Sequence, residues 1–271
     1  MTLLQTLLLA IIQGITELFP ISSVAHAVLT PYLLHWDLDP QFLKEHFLPF
    51  VVLLHLGTAV ALLIYFWRDW FDFARGVFDH RADVAQREFL LVIVGTVPAL
   101  LIGFVLEKPL RALFSSVTSA AFFLAVNGVI LFVGERWRGR GDKPLSELGY
   151  GQALLIGMAQ ALALVPGFSR SGASIVAGFW AGLTHEASAR FSMLLATPLI
   201  LAATLYEAPK LMHGVGADFL GVAALGGLVA GLVAYGSVWA LMSWFKRHEI
   251  NAMRPFAIYC WVVGALVLAI G

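Results

Sequence analysis

The residues of this sequence that could do chemistry are concentrated in two short segments. The first reads QGITELFPISSVAH and covers residues 13–26. Its amide Gln13 and its acid Glu17 are four residues apart, so they lie on one face of a helix, and Pro20 disfavours helical backbone at the residue before it. The segment therefore places an amide and a carboxylic acid side by side just before a helix is broken.

Two serines and a histidine follow this break. Ser22 or Ser23 can cap a new helix, which puts His26 about one turn beyond Ser22 on the same face. This grouping is typical of nucleophilic catalysis: Ser23, or failing that Ser22, would attack, and His26 would accept or donate the proton. Water as the nucleophile, with His26 or Glu17 as the base, is the alternative. Each serine taken singly is explained equally well as a helix cap.

The second segment reads PGFSRSGAS and covers residues 166–174. Proline and glycine interrupt the chain, and the residues that follow can open a helix whose free N–H groups and dipole attract an anion. Arg170 is the most specific residue here, because a buried guanidinium requires an anionic partner and binds phosphate well. The serines could also act only as caps or interhelical hydrogen-bonding groups. The candidate phosphate-binding residues are Arg170, Ser169, Ser171, Ser174 and Gly167.

The composition indicates that both segments lie within a membrane. The 271 residues are 60% hydrophobic and 13% charged, with a mean hydropathy of +0.85, whereas soluble domains are roughly 45–50% apolar and about 25% charged. The formal net charge is zero, which gives no indication of a nucleic-acid partner. Runs long enough to cross a bilayer as a helix, about 20 residues, cover residues 47–67, 89–106, 117–134, 189–206, 219–245 and 255–270.

Internal similarity divides the chain into two copies of one unit. FVVLLHLGTAVALLIY, from Phe50, aligns without a gap with FSMLLATPLILAATLY, from Phe191. Each stretch is preceded by an apolar segment that proline and small polar residues cut near its middle, at residues 3–34 and 152–183. We therefore expect one repeat in residues 1–150 and a second in residues 151–271 within one membrane domain.

The distribution of basic residues predicts how these repeats are oriented. If each broken segment enters and leaves on the same face, three crossings separate the repeats and the second is inverted. The loops then assigned to the inside carry eleven Lys and Arg residues against four outside, as the positive-inside rule requires. We expect an all-α membrane protein with six transmembrane helices, two re-entrant helix-loop-helix segments in an inverted-topology repeat, and both termini outside.

Membrane depth makes the ionisable residues of the two segments candidates for function. Unwound backbone at that depth is tolerated only inside protein or along a wet cavity. An ionised Glu17 costs about 3 kcal/mol or more unless it is paired. A salt bridge to Arg170 with a purely structural role is the alternative. His26 could likewise be an ordinary interhelical hydrogen-bonding residue, and we interpret His55, in the middle of a span, as structural.

The two motifs resemble those of the undecaprenyl pyrophosphate phosphatase family, bacterial membrane enzymes also called bacitracin-resistance proteins. The family signature of Glu or Gln, three residues and Glu is matched by Gln13 and Glu17, followed by PISSVAH in place of Pro-x-Ser-Ser-Thr-Gly-His. The second signature, Pro-Gly-x-Ser-Arg-Ser-x-x-Thr, is matched by PGFSRSGAS. The resemblance covers nearly the whole chain, including the closing PFAIY at residues 255–259.

Three departures from the family pattern affect this comparison. Val24 and Ala25 replace the usual Thr-Gly, which removes a hydroxyl and a flexible position, and Ser174 replaces the final Thr but keeps a hydroxyl. The resemblance implies hydrolysis of undecaprenyl or another polyprenyl diphosphate to the monophosphate carrier lipid and inorganic phosphate, in support of cell-wall glycan synthesis and bacitracin resistance. A catalytically inactive scaffold is an alternative that the two replacements leave open.

The resemblance also implies a location and a cofactor. The enzyme would lie in the bacterial inner membrane with its site open to the periplasmic side, among membrane lipids, and a homodimer is compatible with it. A divalent cation, Mg²⁺ or Ca²⁺, would be held by Glu17 with help from Gln13 through oxygen ligands. The chief rival is a transporter or flippase for a phosphorylated lipid or anion, because inverted repeats with broken helices are a transporter architecture. The Ser-Ser-x-x-His cluster favours the enzyme.

Overall fold

The computed structural model describes residues 1–79, 83–106, 116–139, 141–212, 217–248 and 250–270. Residues 80–82, 140 and 249, which belong to the basic loops, lie outside these ranges. The described residues confirm the all-α prediction, since an isolated bridge between Lys143 and Leu183 is the one β-type pairing among them. The helices are α1 (Leu3–Thr16), α2 (Ser23–Leu33), α3 (Pro40–Glu45), α4 (Phe47–Tyr65), α5 (Trp67–Phe78), α6 (Asp83–Val105), α7 (Val117–Arg136), α8 (Tyr150–Gln160), α9 (Arg170–Trp180), α10 (His185–Met212), α11 (Ala217–Arg247) and α12 (Arg254–Ile270).

Both predicted helix breaks are present. The first separates α1 from α2 and contains Pro20; the second separates α8 from α9 and begins with a 3₁₀ turn, Ala161–Leu164. The helices that follow are capped by serine, because Ser22 accepts the N–H of Ala25 and Ser169 accepts the N–H of Gly172. These caps satisfy first-turn amides that have no partner within their own helix.

Four of the described helical stretches are long and apolar enough to cross a membrane: Asp83–Val105, Val117–Arg136, His185–Glu207 and Phe219–Arg247. A fifth span results if α4 and α5, which meet at an angle of 74°, are counted as one. The last helix, α12, has 17 residues and is shorter than the four. The described residues thus support a multi-pass helical membrane protein with four or five candidate spans, where the sequence predicts six.

The helix α5 departs from the sequence prediction, in which residues 68–88 are the loop between the spans 47–67 and 89–106. It is amphipathic: Phe73 and Gly76 are buried, and it packs against α6. Asp69 in its first turn accepts hydrogen bonds from Arg190 of α10, which also contacts Glu88 of α6 at 2.8 Å. This partly buried ion cluster holds α5 against the bundle and explains why a charged segment is helical here.

The remaining helices pack in pairs that repeat across the two halves of the chain. Helix α1 packs on α11 as α8 packs on α6, and α4 contacts α11 as α10 contacts α6. The pairs α4–α10 and α7–α12 each join equivalent elements of the two halves. Gly57 allows the approach of α4 to α11, because a Cβ there would lie 1.8 Å from the carbonyl oxygen of Gly227.

Candidate active site

A cavity of about 210 Å³ lies where the two helix breaks meet. Its polar wall consists of side chains from both breaks and from α4 and α8: Glu17, Ser22, Ser23, His55, Gln160, Ser169 and Arg170. Its apolar wall includes residues of α4, α6 and α10: Val51, Val52, Ala99, Leu199, Ile200 and Ala203. The cavity therefore combines a charged end with a hydrocarbon-like surface.

The carboxylate of Glu17 is the centre of the polar wall, and its side chain is only 6% exposed. Oxygen Oε1 accepts hydrogen bonds from Nε and Nη2 of Arg170 at 3.3 and 3.1 Å. Oxygen Oε2 accepts the hydroxyl of Ser23 at 2.6 Å and the amide of Gln13 at 3.4 Å, and it lies 3.1 Å from Nε2 of His55. Glu17 and Arg170 do form the salt bridge expected of a structural pair, but the same carboxylate also contacts a hydroxyl and an imidazole.

His55 is the site residue that the sequence interpretation missed. Its Nδ1 lies 2.7 Å from the carbonyl oxygen of Val51, and because a carbonyl only accepts, Nδ1 carries a proton. Its Nε2 lies 3.1 Å from Glu17 and 3.5 Å from the hydroxyl of Ser23. If neither Nε2 of His55 nor the oxygen of Glu17 carried a proton, their lone pairs would repel each other at this distance. The two atoms therefore share a proton. An ionisable residue in mid-span was the available signal, and we gave it too little weight.

His26 does not occupy the position beside Ser23 that the sequence suggested. Its Nδ1 lies 2.7 Å from the carbonyl oxygen of Ser22, one turn back along α2, and its Nε2 lies 2.7 Å from the hydroxyl of Tyr259 in α12. The bond to its own helix turns the ring towards α12, where it stacks on the tyrosine. His26 does not line the cavity, so His55 takes the place next to the hydroxyl.

The two adjacent serines have different surroundings. The Ser22 hydroxyl accepts the N–H of Ala25 at 3.3 Å, and the residue has a φ of 67°, in the left-handed region that non-glycine residues rarely adopt. The Ser23 hydroxyl faces Glu17 and His55 inside the cavity. Ser22 therefore shapes the turn, and Ser23 presents a hydroxyl to the acid and the imidazole.

At the second break, Arg170 and Ser169 line the cavity. Arg170 is anchored on its far side, since its Nη1 donates to the carbonyl oxygen of Ser192 at 3.0 Å. The amide of Ser169, which we expected to be free for phosphate, donates to Oδ1 of Asn127 at 3.0 Å. The amides of Arg170 and Ser171 belong to the first turn of α9 and have no partner within that helix.

The other predicted phosphate-binding serines lie outside the cavity lining. The Ser171 hydroxyl donates to the carbonyl oxygen of Phe19 at 3.3 Å and thereby joins the two breaks. The Ser174 hydroxyl lies 2.7 Å from the carbonyl oxygen of Arg170 and 2.7 Å from the hydroxyl of Ser192. Both serines hold α9 in position behind the guanidinium.

Gly167 and Asn127 fix the second break against α7. Gly167 has a φ of 114°, and a Cβ there would lie 2.4 Å from Cβ of Phe123, so no other residue fits without rearrangement. Asn127 is 1% exposed; its Nδ2 donates to the carbonyl oxygen of Pro20 at 3.0 Å, while its Oδ1 accepts from Ser169. One amide side chain therefore connects both breaks, a role that a lone asparagine in an apolar helix does not reveal in sequence.

The cavity also contains oxygen atoms that suit a hard cation. Nε2 of Gln160 donates to the carbonyl oxygen of Gly95 at 2.7 Å, which leaves its buried Oε1 without a hydrogen-bond partner among the described residues. Glu17 lines the same cavity, and Gln13 contacts Glu17 through its amide nitrogen. Among the described residues there is no group of three or more His, Cys, Asp and Glu suited to a metal. A cation at the Gln160 oxygen would take its other ligands largely from water and phosphate, as Mg²⁺ commonly does.

The arrangement is suited to phosphoryl transfer from an amphipathic substrate. A buried hydroxyl that is hydrogen-bonded to a carboxylate can serve as nucleophile. A guanidinium at a helix N-terminus can hold phosphoryl oxygens, and the apolar wall can accept a hydrocarbon chain.

Comparison with known proteins gives the same picture. The profile of the family described as bacitracin resistance protein BacA matches residues 6–266. A protein named undecaprenyl-diphosphatase 2 from Chromobacterium violaceum is 50% identical over 273 residues, covering 99% of this chain and 98% of the relative. Its namesake from Oenococcus oeni is 49% identical over 269 residues, with the same coverage. An undecaprenyl-diphosphatase from Granulibacter bethesdensis is 47% identical over 287 residues, covering 99% and 97%. Since this match includes both helix breaks and the cavity between them, the chain belongs to the bacitracin resistance protein BacA family.

Proposed function

We propose that this chain is an integral membrane phosphatase of the bacterial inner membrane. It hydrolyses undecaprenyl diphosphate, or a related polyprenyl diphosphate, to the lipid monophosphate and inorganic phosphate, and so supports cell-wall glycan synthesis and bacitracin resistance. The observation that carries the proposal is that Ser23, Glu17 and Arg170 form one buried cluster at the end of an apolar cavity. The names of the relatives supply the substrate.

Binding uses both ends of the cavity. The diphosphate lies against Arg170 and the first-turn amides of α9, where the helix dipole and the guanidinium neutralise its charge. The isoprenoid chain lies along Val52, Leu199 and their apolar neighbours. Burying that chain contributes about 25 cal/mol per Å² of apolar surface. A substrate with an anionic head and a long apolar tail therefore matches the cavity better than a soluble phosphate ester does.

The reaction proceeds through Ser23. Its Oγ attacks the terminal phosphorus while its proton moves to Oε2 of Glu17, 2.6 Å away, and the bond between phosphorus and the bridging oxygen breaks. The lipid monophosphate leaves, and His55, which shares a proton with Glu17, supports the carboxylate during the transfer. Water then attacks the phosphoserine and its protons stay with the phosphate that forms. The Oγ–P bond breaks, Oγ takes its proton back from Oε2 of Glu17, and inorganic phosphate is released.

A divalent cation, Mg²⁺ or Ca²⁺, accompanies the diphosphate in this proposal. Glu17 with Gln13 would hold it, and the unpartnered Oε1 of Gln160 would add an oxygen ligand. When bound, the cation would supply charge neutralisation for the phosphoryl oxygens. The single carboxylate predicts a site that binds the cation weakly until the diphosphate is present.

The membrane arrangement proposed for this activity has six spans and two re-entrant segments, residues 3–34 and 152–183. The repeats, 1–150 and 151–271, are inverted, both termini are periplasmic and the cavity opens to the periplasm. The helix pairings support this arrangement, because α1–α11 and α8–α6 are the same contact made from opposite halves. Cysteine accessibility from each side of intact cells tests it.

The decisive experiment is phosphate release from a polyprenyl diphosphate by the purified protein in detergent. Detergent removes the two compartments that a transporter or flippase needs, so turnover there identifies a phosphatase. We expect release to require Arg170, with Arg170→Ala inactive but still folded. A folded, monodisperse wild-type protein that binds the lipid without releasing phosphate would instead support the transporter.

A further inference from the structure

A second cavity, of about 280 Å³, lies between the C-terminal end of α7 and the turn that precedes α12. It shares no residue with the active-site cavity and has no part in the proposed reaction. Its lining contains three arginines and one acid: Phe132, Glu135, Arg136, Arg138, Gly139, Ile250, Asn251 and Arg254. The positive-inside assignment puts both of its loops on the cytoplasmic side.

The charge of this cavity is not balanced by its own acid. Both carboxylate oxygens of Glu135 are occupied: they accept the N–H groups of Ala252 and Met253 at 2.7 and 2.9 Å, and Oε1 lies 3.1 Å from Nε2 of His185. The guanidiniums of Arg136 and Arg254 form no ion pair within the described part of the chain, and neither is buried. The cavity therefore has a surplus of positive charge.

Helix geometry offsets this surplus at Arg136 and adds to it at Arg254. Arg136 occupies the last turn of α7, where a cation is favourable against the negative end of the helix dipole. Arg254 is the first residue of α12, where a cation is unfavourable against the positive end. A cation placed there with no acidic partner among the described residues is accounted for by an anion that both the helix end and the guanidinium can bind.

The walls of the cavity are held in place before any ligand arrives. The backbone of Ala252 is fixed on both sides, by Glu135 at its N–H and by Nε1 of Trp244, which donates to its carbonyl oxygen at 3.0 Å. Asn251, with a φ of 61°, forms the left-handed corner of the same turn. Arg138 is half-buried, with its Nη1 2.9 Å from Nε2 of His185. A preorganised site loses less entropy on binding.

We propose that this cavity binds a phosphate ester anion, the head group of an anionic membrane phospholipid. Ile250 and Trp137 flank it with side chains that are 76% and 72% exposed, as suits residues at the level where acyl chains begin. Basic pockets between helix ends on the cytoplasmic side are suited to such head groups. The same guanidiniums would also accept inorganic phosphate, which shares this chemistry.

The test compares lipid binding by native mass spectrometry of the whole protein in neutral detergent. Phosphatidylglycerol should bind more tightly than phosphatidylcholine. The double variant Arg136→Gln/Arg254→Gln should weaken phosphatidylglycerol binding by about thirtyfold, at about 1 kcal/mol per arginine. The matched control, Arg68→Gln/Arg75→Gln, removes the same charge elsewhere and should change the affinity for phosphatidylglycerol less than about threefold. Equal binding of the two lipids, or undiminished binding by the double variant, would overturn the proposal.

Two further measurements identify the source of the phosphate and check the fold. If millimolar inorganic phosphate displaces phosphatidylglycerol from the wild type and from the Arg68→Gln/Arg75→Gln control, the site takes free phosphate and the lipid assignment is overturned. If it does not, the site binds a lipid head group. Arg254→Lys keeps the charge and should retain most of the affinity. Phosphate release from a polyprenyl diphosphate should be unchanged in the double variant, which confirms that it is folded, because neither arginine contacts the active-site cavity.

Discussion

The hydroxyl of Ser23 donates to Oε2 of Glu17 at 2.6 Å, while the other oxygen of the same carboxylate accepts the guanidinium of Arg170 at 3.1 Å. Serine and acid come from the first helix break and arginine from the second. A single carboxylate thus links the group proposed to attack the phosphate with the group proposed to hold it, and it does so across 153 residues of sequence.

Replacing Ser23 by alanine should abolish turnover, by about 10⁴-fold or more, because it removes the nucleophile. Ser22→Ala should keep most of the activity and instead lose about 1 kcal/mol of stability, the usual effect of removing a helix cap. Steady-state phosphate release measures the turnover of both variants, and rapid acid quench traps the phosphoserine that Ser23 would form. An active Ser23→Ala protein would transfer the role of nucleophile to water.

Replacing His55 by leucine should slow phosphate release by about a hundredfold or more, the contribution typical of a positioned proton-transfer group. His26 contacts Tyr259 rather than the cavity, so Tyr259→Phe should reduce the rate less than about tenfold. Both variants are assayed at saturating substrate so that kcat is compared. A larger effect in Tyr259→Phe than in His55→Leu would return the proton-transfer role to His26.

Asn127→Leu should destabilise the protein and disturb the site together. The change leaves the carbonyl oxygen of Pro20 and the N–H of Ser169 without their partner, at about 1–3 kcal/mol for each buried group. The temperature of thermal unfolding in detergent should fall, and kcat should fall as well because the two breaks lose their common link. Ser237→Ala, which also changes a buried polar residue of a long helix but lies outside the cavity, should lower stability without lowering kcat in the folded protein.

Gln160→Leu should raise the Mg²⁺ concentration needed for half-maximal activity by about tenfold, since it removes one oxygen ligand from a site with a single carboxylate. Glu17→Gln should weaken the Mg²⁺ response further. The measurement is a metal titration of phosphate release after chelation. An unchanged titration curve in Gln160→Leu would show that Oε1 of Gln160 does not bind the cation. Full activity in the presence of chelator would show that the reaction needs no cation.

Local sequence predicted the parts of the site that lie within one turn of a helix break. The spacing of Gln13 and Glu17, Pro20 in the first break, and the serine caps at Ser22 and Ser169 are all consequences of helix geometry over a few residues. The same reasoning gave the bounds of most apolar helices. Local sequence does not predict the charged helix α5, because this helix is stabilised by its contacts with α6 and Arg190 and lacks the apolar run of a membrane span.

His55 and Asn127 could not be assigned in this way. Each is one polar residue in an ordinary apolar helix. His55 reaches the cavity, and Asn127 reaches the two breaks, only because of how α4 and α7 pack against them. The close approach at Gly57 sets the position of α4, and no local pattern encodes which of two histidines ends up facing Ser23. Their roles depend on tertiary contacts between residues that are distant in sequence.

The salt bridge between Arg170 and Glu17 also bears on how the product leaves. Glu17 neutralises the guanidinium of Arg170, so an anion must compete with the carboxylate to bind there. A diphosphate carries more charge than a monophosphate and therefore competes better with Glu17 for the guanidinium, so a monophosphate rebinds poorly once Glu17 has returned its proton to Ser23. If Glu17 competes in this way, it acts as an internal competitor that clears the site after each turnover. We then expect a non-hydrolysable diphosphate analogue to inhibit at much lower concentration than the monophosphate product does, and equal inhibition by the two would contradict this role of Glu17.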